Sequence, residues 1–164
     1  MTTNQTTPTT AEIIFTAGLP AAGKTTYVNK TYDLNVYTVI DPDLVKESHP
    51  DYDPADPAAL HGWSQDVVEK MWEGCLEKKS GKWIVDGTGT NAEKMVRRIN
   101  QARDAGYGIS LVYVTCSLET SLERNANRDR VVPEYIVRDK ARNIQTAFEL
   151  IAPYADTVEV IDNN

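Results

Sequence analysis

The sequence predicts an α/β fold, a five-stranded parallel sheet with helices on both faces. Three observations predict it. Five short segments are apolar almost throughout instead of alternating, as strands covered on both sides are. Stretches with a helical apolar period lie between them, and strand–helix alternation builds parallel sheets. Third, the first apolar segment runs directly into a glycine-punctuated turn, Gly18-Leu-Pro-Ala-Ala-Gly23-Lys24-Thr25-Thr26.

Taken in order, residues 1–10 are Thr-rich and polar and read as a disordered lead-in, with a single domain expected over 11–164. The strands are expected at Glu12–Ala17, Asn35–Ile40, Lys82–Asp86, Ile109–Thr115 and Thr157–Ile161. A helix begins near Gly23. The next runs from Ser64, as N-cap, to Lys79, with Val67/Val68, Met71/Trp72 and Cys75/Leu76 forming its apolar stripe. Trp72 and Met71 there read as core. Asn91 caps a helix that reaches Ala105 and is closed by Gly106, and Ser117 caps another. The last helix spans Glu134 to Ile151, with Ile136, Lys140, Ile144, Ala147/Phe148 and Ile151 along one side. Asp51–Pro57 is an irregular loop.

Composition narrows the function. At 164 residues, 41% hydrophobic and 25% charged, the chain can bury a core. No run approaches the roughly 20 apolar residues of a membrane span, and no secretory signal pattern opens the chain. Cys75 and Cys116 read as buried thiols of a reducing cytoplasm, with no metal-ligand cluster around them. The net charge of −7 disfavours a long phosphate-tracking groove but allows a grip on one or two phosphates.

The turn at Gly18 fits G-x-x-x-x-G-K-[ST], the P-loop of nucleoside-triphosphate sites. Such a loop curls its amides around an anion. Gly18 and Gly23 tolerate the backbone this needs, and Ala21, Ala22 and Thr26 complete its nucleotide-binding set. Lys24 can reach the β/γ-phosphates, and the Thr25 hydroxyl can sit on Mg²⁺. The fold expected is therefore a P-loop NTPase.

In a doubly wound sheet, ligands bind beyond the carboxyl ends of the strands. Ile40-Asp41-Pro42-Asp43-Leu44-Val45-Lys46 brings two carboxylates there. One can accept a hydroxyl proton while the other holds a Mg²⁺-bound water; alternatively the pair caps a short helix starting at Leu44. Lys46, three residues after Asp43, would share its side of an acceptor pocket. Asp86-Gly87-Thr88-Gly89 follows the third strand, with Asp86 suited to outer-sphere magnesium work or to gripping an acceptor hydroxyl and the glycines to close backbone approach. Arg124, Arg128 and Arg130, ended by Pro133, form an expected lid at about 124–133 over the nucleotide. The plainer alternative is a solvated charged helix.

Together these segments resemble the P-loop kinases that group zeta toxins with phage-type polynucleotide 5′-kinases, over Ile13 to about Ile144. The resemblance implies that Asp43 is the general base, Lys46 contacts the acceptor's phosphate, and Arg128 bridges the donor phosphates. Lys24, Asp43 and Arg128 are then catalytic. Arg124, Arg128 and Arg130 join the P-loop in holding ATP, and Thr25 and Asp41, through water, hold Mg²⁺. Asp41, Asp43, Lys46, Asp86 and Thr88 form the acceptor side. His49-Pro50-Asp51-Tyr52 looks like the zeta-toxin form, whereas the lid ending in Val132-Pro133 looks like the polynucleotide-kinase form. Asp86-Gly-Thr-Gly89-Thr90 departs from the Glu-Gly-Thr-Gly-Arg of zeta toxins. The chain, ending soon after its fifth strand, is expected to lack the phosphatase domain fused to some polynucleotide kinases.

The expected activity is a cytoplasmic, Mg²⁺-dependent transfer of the ATP γ-phosphate to a hydroxyl of a nucleic acid (a DNA or RNA 5′-hydroxyl, or a hydroxylated base) or nucleotide. A zeta-toxin-like UDP-N-acetylglucosamine kinase is the second reading, and a nucleotide-binding switch without an acceptor the third. No membrane partner is expected. An antitoxin-like partner is left open and not indicated. His49 and His61 read as structural or surface residues.

Overall fold

A computed structural model describes residues 11–164 apart from 57 and 130. The lead-in over 1–10 and the last residue of the 51–57 loop therefore lie outside the described residues. The strands are β1 (Glu12–Ala17), β2 (Tyr37–Ile40), β3 (Lys82–Val85), β4 (Gly108–Thr115) and β5 (Thr157–Asp162). The helices are α1 (Lys24–Thr31), α2 (Pro42–Glu47), α3 (His61–Lys78), α4 (Ala92–Asp104), α5 (Leu118–Ala126) and α6 (Glu134–Ile151). The strands form one all-parallel sheet in the order β2-β3-β1-β4-β5, as the alternating pattern requires.

β1 lies at the centre, with Phe15 in register with Val85 on one side and Leu111 on the other. Ile13, Ile14 and Phe15 are successive residues facing opposite sides, and all three are buried, so both faces of the sheet are covered. Phe15 meets Trp72 of α3 edge-on, with ring centroids 6.0 Å apart, and Tyr113 of β4 packs on Phe148 of α6. α4 is tied to α3 by the Trp72 indole, which donates to Gln101 at 2.9 Å, and by the Arg98–Glu69 ion pair at 2.5 Å.

Several boundaries differ from expectation for local reasons. β2 starts at Tyr37, not Asn35, because Asp33 folds the chain: its carboxylate accepts the Asn35 amide at 2.9 Å and its carbonyl accepts those of Val36 and Tyr37. α3 starts at His61, and Ser64 is not its N-cap. Its hydroxyl, fully buried, donates back to the His61 carbonyl inside the first turn. α2 starts at Pro42 instead of Leu44, since Asp41 caps it and proline's fixed φ suits the first helical position. β5 is not covered on both faces: as an edge strand with a single neighbour it leaves Val158 and Val160 exposed. Cys116 is half-buried, one residue beyond β4. The caps at Asn91 and Ser117 are as expected, each side chain accepting a first-turn amide.

Candidate active site

β1 ends at Ala17 beside the point where strand order reverses, and the loop from Gly18 to Lys24 turns there into α1. The loop's carbonyls are taken up by surrounding groups. Lys24 Nζ donates to Gly18 O at 2.8 Å and to Leu19 O at 3.4 Å. The buried Ser121 hydroxyl donates to Pro20 O at 2.7 Å, and Asn163 Nδ2 to Ala22 O, also at 2.7 Å. Arg124 reaches Ala22 O at 3.5 Å. The Ala22 amide closes the loop on itself, donating to Leu19 O at 3.0 Å.

Gly23 is required at its position. Its φ is 99°, and a Cβ there would lie 2.1 Å from Asn163 Nδ2. It caps α1 with no side-chain hydrogen bond, and no acidic residue occupies the helix's first turn. First-turn amides lacking an intrahelical partner favour an anion. Ala21 also adopts a left-handed backbone, φ 61°, an unusual conformation for alanine that curls the loop.

In front of the loop lies a cavity of about 920 Å³. Its floor is the P-loop. One wall is the start of α2, a second the segment after β3, and the remainder comes from α3, α4, α5 and α6. The cavity brings together Ala21, Ala22, Gly23, Lys24, Thr25 and Thr26 with Asp41, Asp43, Lys46, Asp86, Thr88, Arg124 and Arg128. Gly18 lies beneath it, its amide donating to Thr88 O at 2.9 Å. Arg130 lies outside the described residues.

The carboxylates beyond β2 and β3 are held differently. Asp41 is buried and accepts the Asp43 amide at 2.9 Å. Burial, reinforced by the Asp86 and Asp43 carboxylates, pushes Asp41 up to about 7, with the Asp43 amide pulling the other way. Lys24 is held below the usual lysine range by burial, opposed by Asp86, Asp41 and Asp43. Asp86 is fastened by the fully buried Thr16 of β1, whose hydroxyl donates to its carboxylate and accepts the Gly87 amide at 3.2 Å. The Asp86 amide donates to Ile40 O, so the β2 and β3 ends are locked together. Gly87 and Gly89 line the cavity, as expected, and Gly89 is needed there for a further reason. It packs on the end of β1, where a Cβ would meet Ala17 Cβ at 2.6 Å.

Six further contributors were not singled out by the sequence. Thr16 is one; a threonine in an otherwise apolar strand was its signal. Lys140 lies on the inner side of α6, donates to Thr88 Oγ1 at 3.3 Å, and is held below the lysine range by burial. A lysine within an apolar stripe was its signal. Lys94 and Arg98, one turn apart on α4, also line the cavity, as does His61 at the start of α3. Asn163, beyond β5, had no local signal. At the end of α5, Asn125 is buried and bonds Val132 twice, donating to its carbonyl at 2.7 Å and accepting its amide at 3.0 Å.

Triphosphate fits these residues, because the uncapped helix start and the cations Lys24, Arg124 and Arg128 converge on one cavity. Among the described residues no group of three or more His, Cys, Asp or Glu forms a ready-made metal cluster. A magnesium ion would suit Thr25 and Asp41 together with phosphate oxygens, which supply what the protein lacks. Among the described residues no helix is long and apolar enough to cross a membrane.

The model of a family described as an AAA domain matches residues 13–151. An L-seryl-tRNA(Sec) kinase from Methanococcus maripaludis is 26% identical over 162 residues, 93% of this chain and 62% of that protein's length. Among solved structures, the AvrRxo1-ORF1:AvrRxo1-ORF2 complex with sulphate ions aligns at a TM-score of 0.72 and 17% identity, over 87% of this chain and 50% of the other. The same complex with ATP aligns at 0.64 and 17% identity, over 88% and 48%. The PezAT chromosomal toxin–antitoxin system of Streptococcus pneumoniae aligns at 0.63 and 18% identity, over 92% of this chain and 66% of the other. At such identities the structural matches speak for a shared fold.

Proposed function

The chain belongs to the AAA domain family, and from that premise we propose that it is a Mg²⁺-dependent kinase transferring the γ-phosphate of ATP to a hydroxyl of a nucleic acid or nucleotide. The observation that carries the reading is one cavity that brings the P-loop together with two carboxylates and a second set of cations, which we read as a donor and an acceptor half. The P-loop, Arg124 and Arg128 are the donor half, Lys46, Lys94, Arg98 and Lys140 the acceptor half, and Asp41 and Asp43 the carboxylates. A switch that activates only water has no use for the second half. The 26% identity to an L-seryl-tRNA(Sec) kinase supports the same class, a hydroxyl presented on nucleic acid.

In this reading Asp43 is the general base. Asp41 is buried and its carboxylate is engaged as the cap of α2, so the role falls to Asp43, in the helix's first turn at the cavity wall. Asp43 takes the hydroxyl proton as the acceptor oxygen attacks the γ-phosphorus. The bond from that phosphorus to the bridging oxygen breaks, and ADP leaves. Lys24, positioned by two P-loop carbonyls, and Arg128 stabilise the negative charge spread over the transferring group. Lys46 anchors a phosphate next to the reacting hydroxyl. Magnesium, when bound beside Thr25 and Asp41, neutralises triphosphate charge.

Incubation with γ-labelled ATP and a panel of acceptors tests this. The panel holds hydroxyl-ended DNA and RNA, DNA with hydroxymethylated bases, nucleosides, nucleotides and UDP-N-acetylglucosamine. Label is expected on a nucleic acid or nucleotide, with Lys24→Ala losing about 10²–10³ in rate while keeping its fold. Label confined to the sugar nucleotide would favour the zeta-toxin reading. ATP hydrolysis without transfer to any hydroxyl would overturn the kinase.

A further inference from the structure

A second depression of about 650 Å³ lies between the first turn of α4 and the N-terminal half of α6. It shares Thr90, Asn91, Ile136 and Lys140 with the catalytic cavity, so the two adjoin at Lys140. Beyond that junction stand Tyr135 and Asn143, and an ion pair, Arg142 with Asp139, at 3.0 Å.

Resting on the kinase reading above, we propose that this groove carries the acceptor beyond its reacting nucleotide, and that the acceptor is a single-stranded nucleic acid of at least two nucleotides. Three observations converge on it. The catalytic cavity must hold both the triphosphate and the nucleoside that receives the phosphate, so a further nucleotide has to leave through an opening that touches the acceptor half. The groove opens there, past a lysine that donates to Thr88 and can meet the connecting phosphate. Second, Tyr135 is 73% exposed, a large aromatic that contributes little to the core and sits on the groove wall. An exposed ring beside a phosphate path is what a base stacks on, whatever its identity. Third, the Arg142–Asp139 pair is about two-thirds exposed at both partners, so it is weak and the guanidinium can exchange its carboxylate for a phosphate oxygen. The chain's acidic balance then limits contact to a short strand end instead of a long duplex.

Fluorescence anisotropy of the full chain with a labelled single-stranded hexanucleotide bearing a free 5′-hydroxyl, as DNA and as RNA, tests the groove without requiring turnover. Unlabelled nucleoside 3′-monophosphate serves as the competitor that ends at Lys140. Tyr135→Ala is expected to weaken the hexanucleotide by about 5- to 100-fold, the value of one stacked base, and to shift the competitor's affinity by far less. Tyr135→Phe restores hexanucleotide binding. Equal losses for both ligands, an unchanged hexanucleotide affinity in Tyr135→Ala, or no hexanucleotide binding by the wild type would each overturn the groove. Tyr135-dependent binding with no transfer from ATP would uphold the groove and overturn the kinase.

Discussion

Asp41 and Asp43 are two positions apart, yet the fold gives them different surroundings. Asp41 is buried under Asp86 and caps α2, whereas Asp43 occupies the helix's first turn at the cavity wall. A carboxyl raised to about 7 binds its proton more tightly folded than unfolded. Its effect is therefore harmless below about pH 4 and costs up to about 1.4 kcal/mol per unit as pH rises from there to about 7. Asp41→Asn keeps a capping oxygen and removes that cost. Thermal melts should show the variant above wild type at pH 8, with the gap closing toward pH 4.5; a gap of opposite sign would refute the assignment. Asp43→Asn should instead lower turnover by about 10²–10⁴ with ATP affinity nearly unmoved. Should Asp41→Asn prove more damaging to turnover, the two roles are reversed. The Asp-Pro-Asp spacing made this pair legible in the sequence, but which carboxylate is buried depends on Asp86, brought alongside from the end of β3.

At the scale of elements, α5 and the segment after it illustrate how one side chain ties a helix end to the backbone beyond it. Arg124, in the last turn of α5, and Arg128, two residues past its end, both line the cavity. Asn125 between them bonds the Val132 backbone in both directions, which ties Val132 to the end of α5. Removing a buried side chain that satisfies two backbone groups commonly costs about 1–3 kcal/mol per group left unpaired. Asn125→Ala should thus expose residues 126–133 to limited proteolysis and weaken protection by an ATP analogue. Arg128→Ala should depress turnover without increasing cleavage. If wild-type cleavage there is unchanged by bound nucleotide, the segment is no lid. The arginines announced this element by their clustering; the asparagine, an ordinary polar residue in a charged helix, did not.

For the molecule as a whole, stability rests on the centre of the sheet, and the site is suspended from its edge loops. Trp72 is 2% exposed, packs edge-on to Phe15, and ties α3 to α4 through Gln101. Trp72→Ala should cost about 3–5 kcal/mol and lower the melting temperature by about 10 °C. A loss under 1 kcal/mol in denaturant titration would show that this face repacks freely.

The sequence by itself determined the elements whose cause is local. Apolar runs with no alternation specify β1, β3 and β4, the strands covered on both faces. The apolar stripes of α3 and α6, the caps at Asn91 and Ser117, and the P-loop are each specified by residues a few positions apart, which meet through backbone geometry alone. Tertiary structure decided what lies between distant segments. Thr16 fastens Asp86 across 70 residues, Lys140 meets Thr88 across 52, and Asn163 braces the P-loop across 141. No local period encodes such meetings, because they follow from the parallel order of strands that places successive loops along one edge of the sheet. Burial works the same way: Asp41 and Asp43 carry identical side chains, and their difference arises when the sheet closes over one and leaves the other facing the cavity.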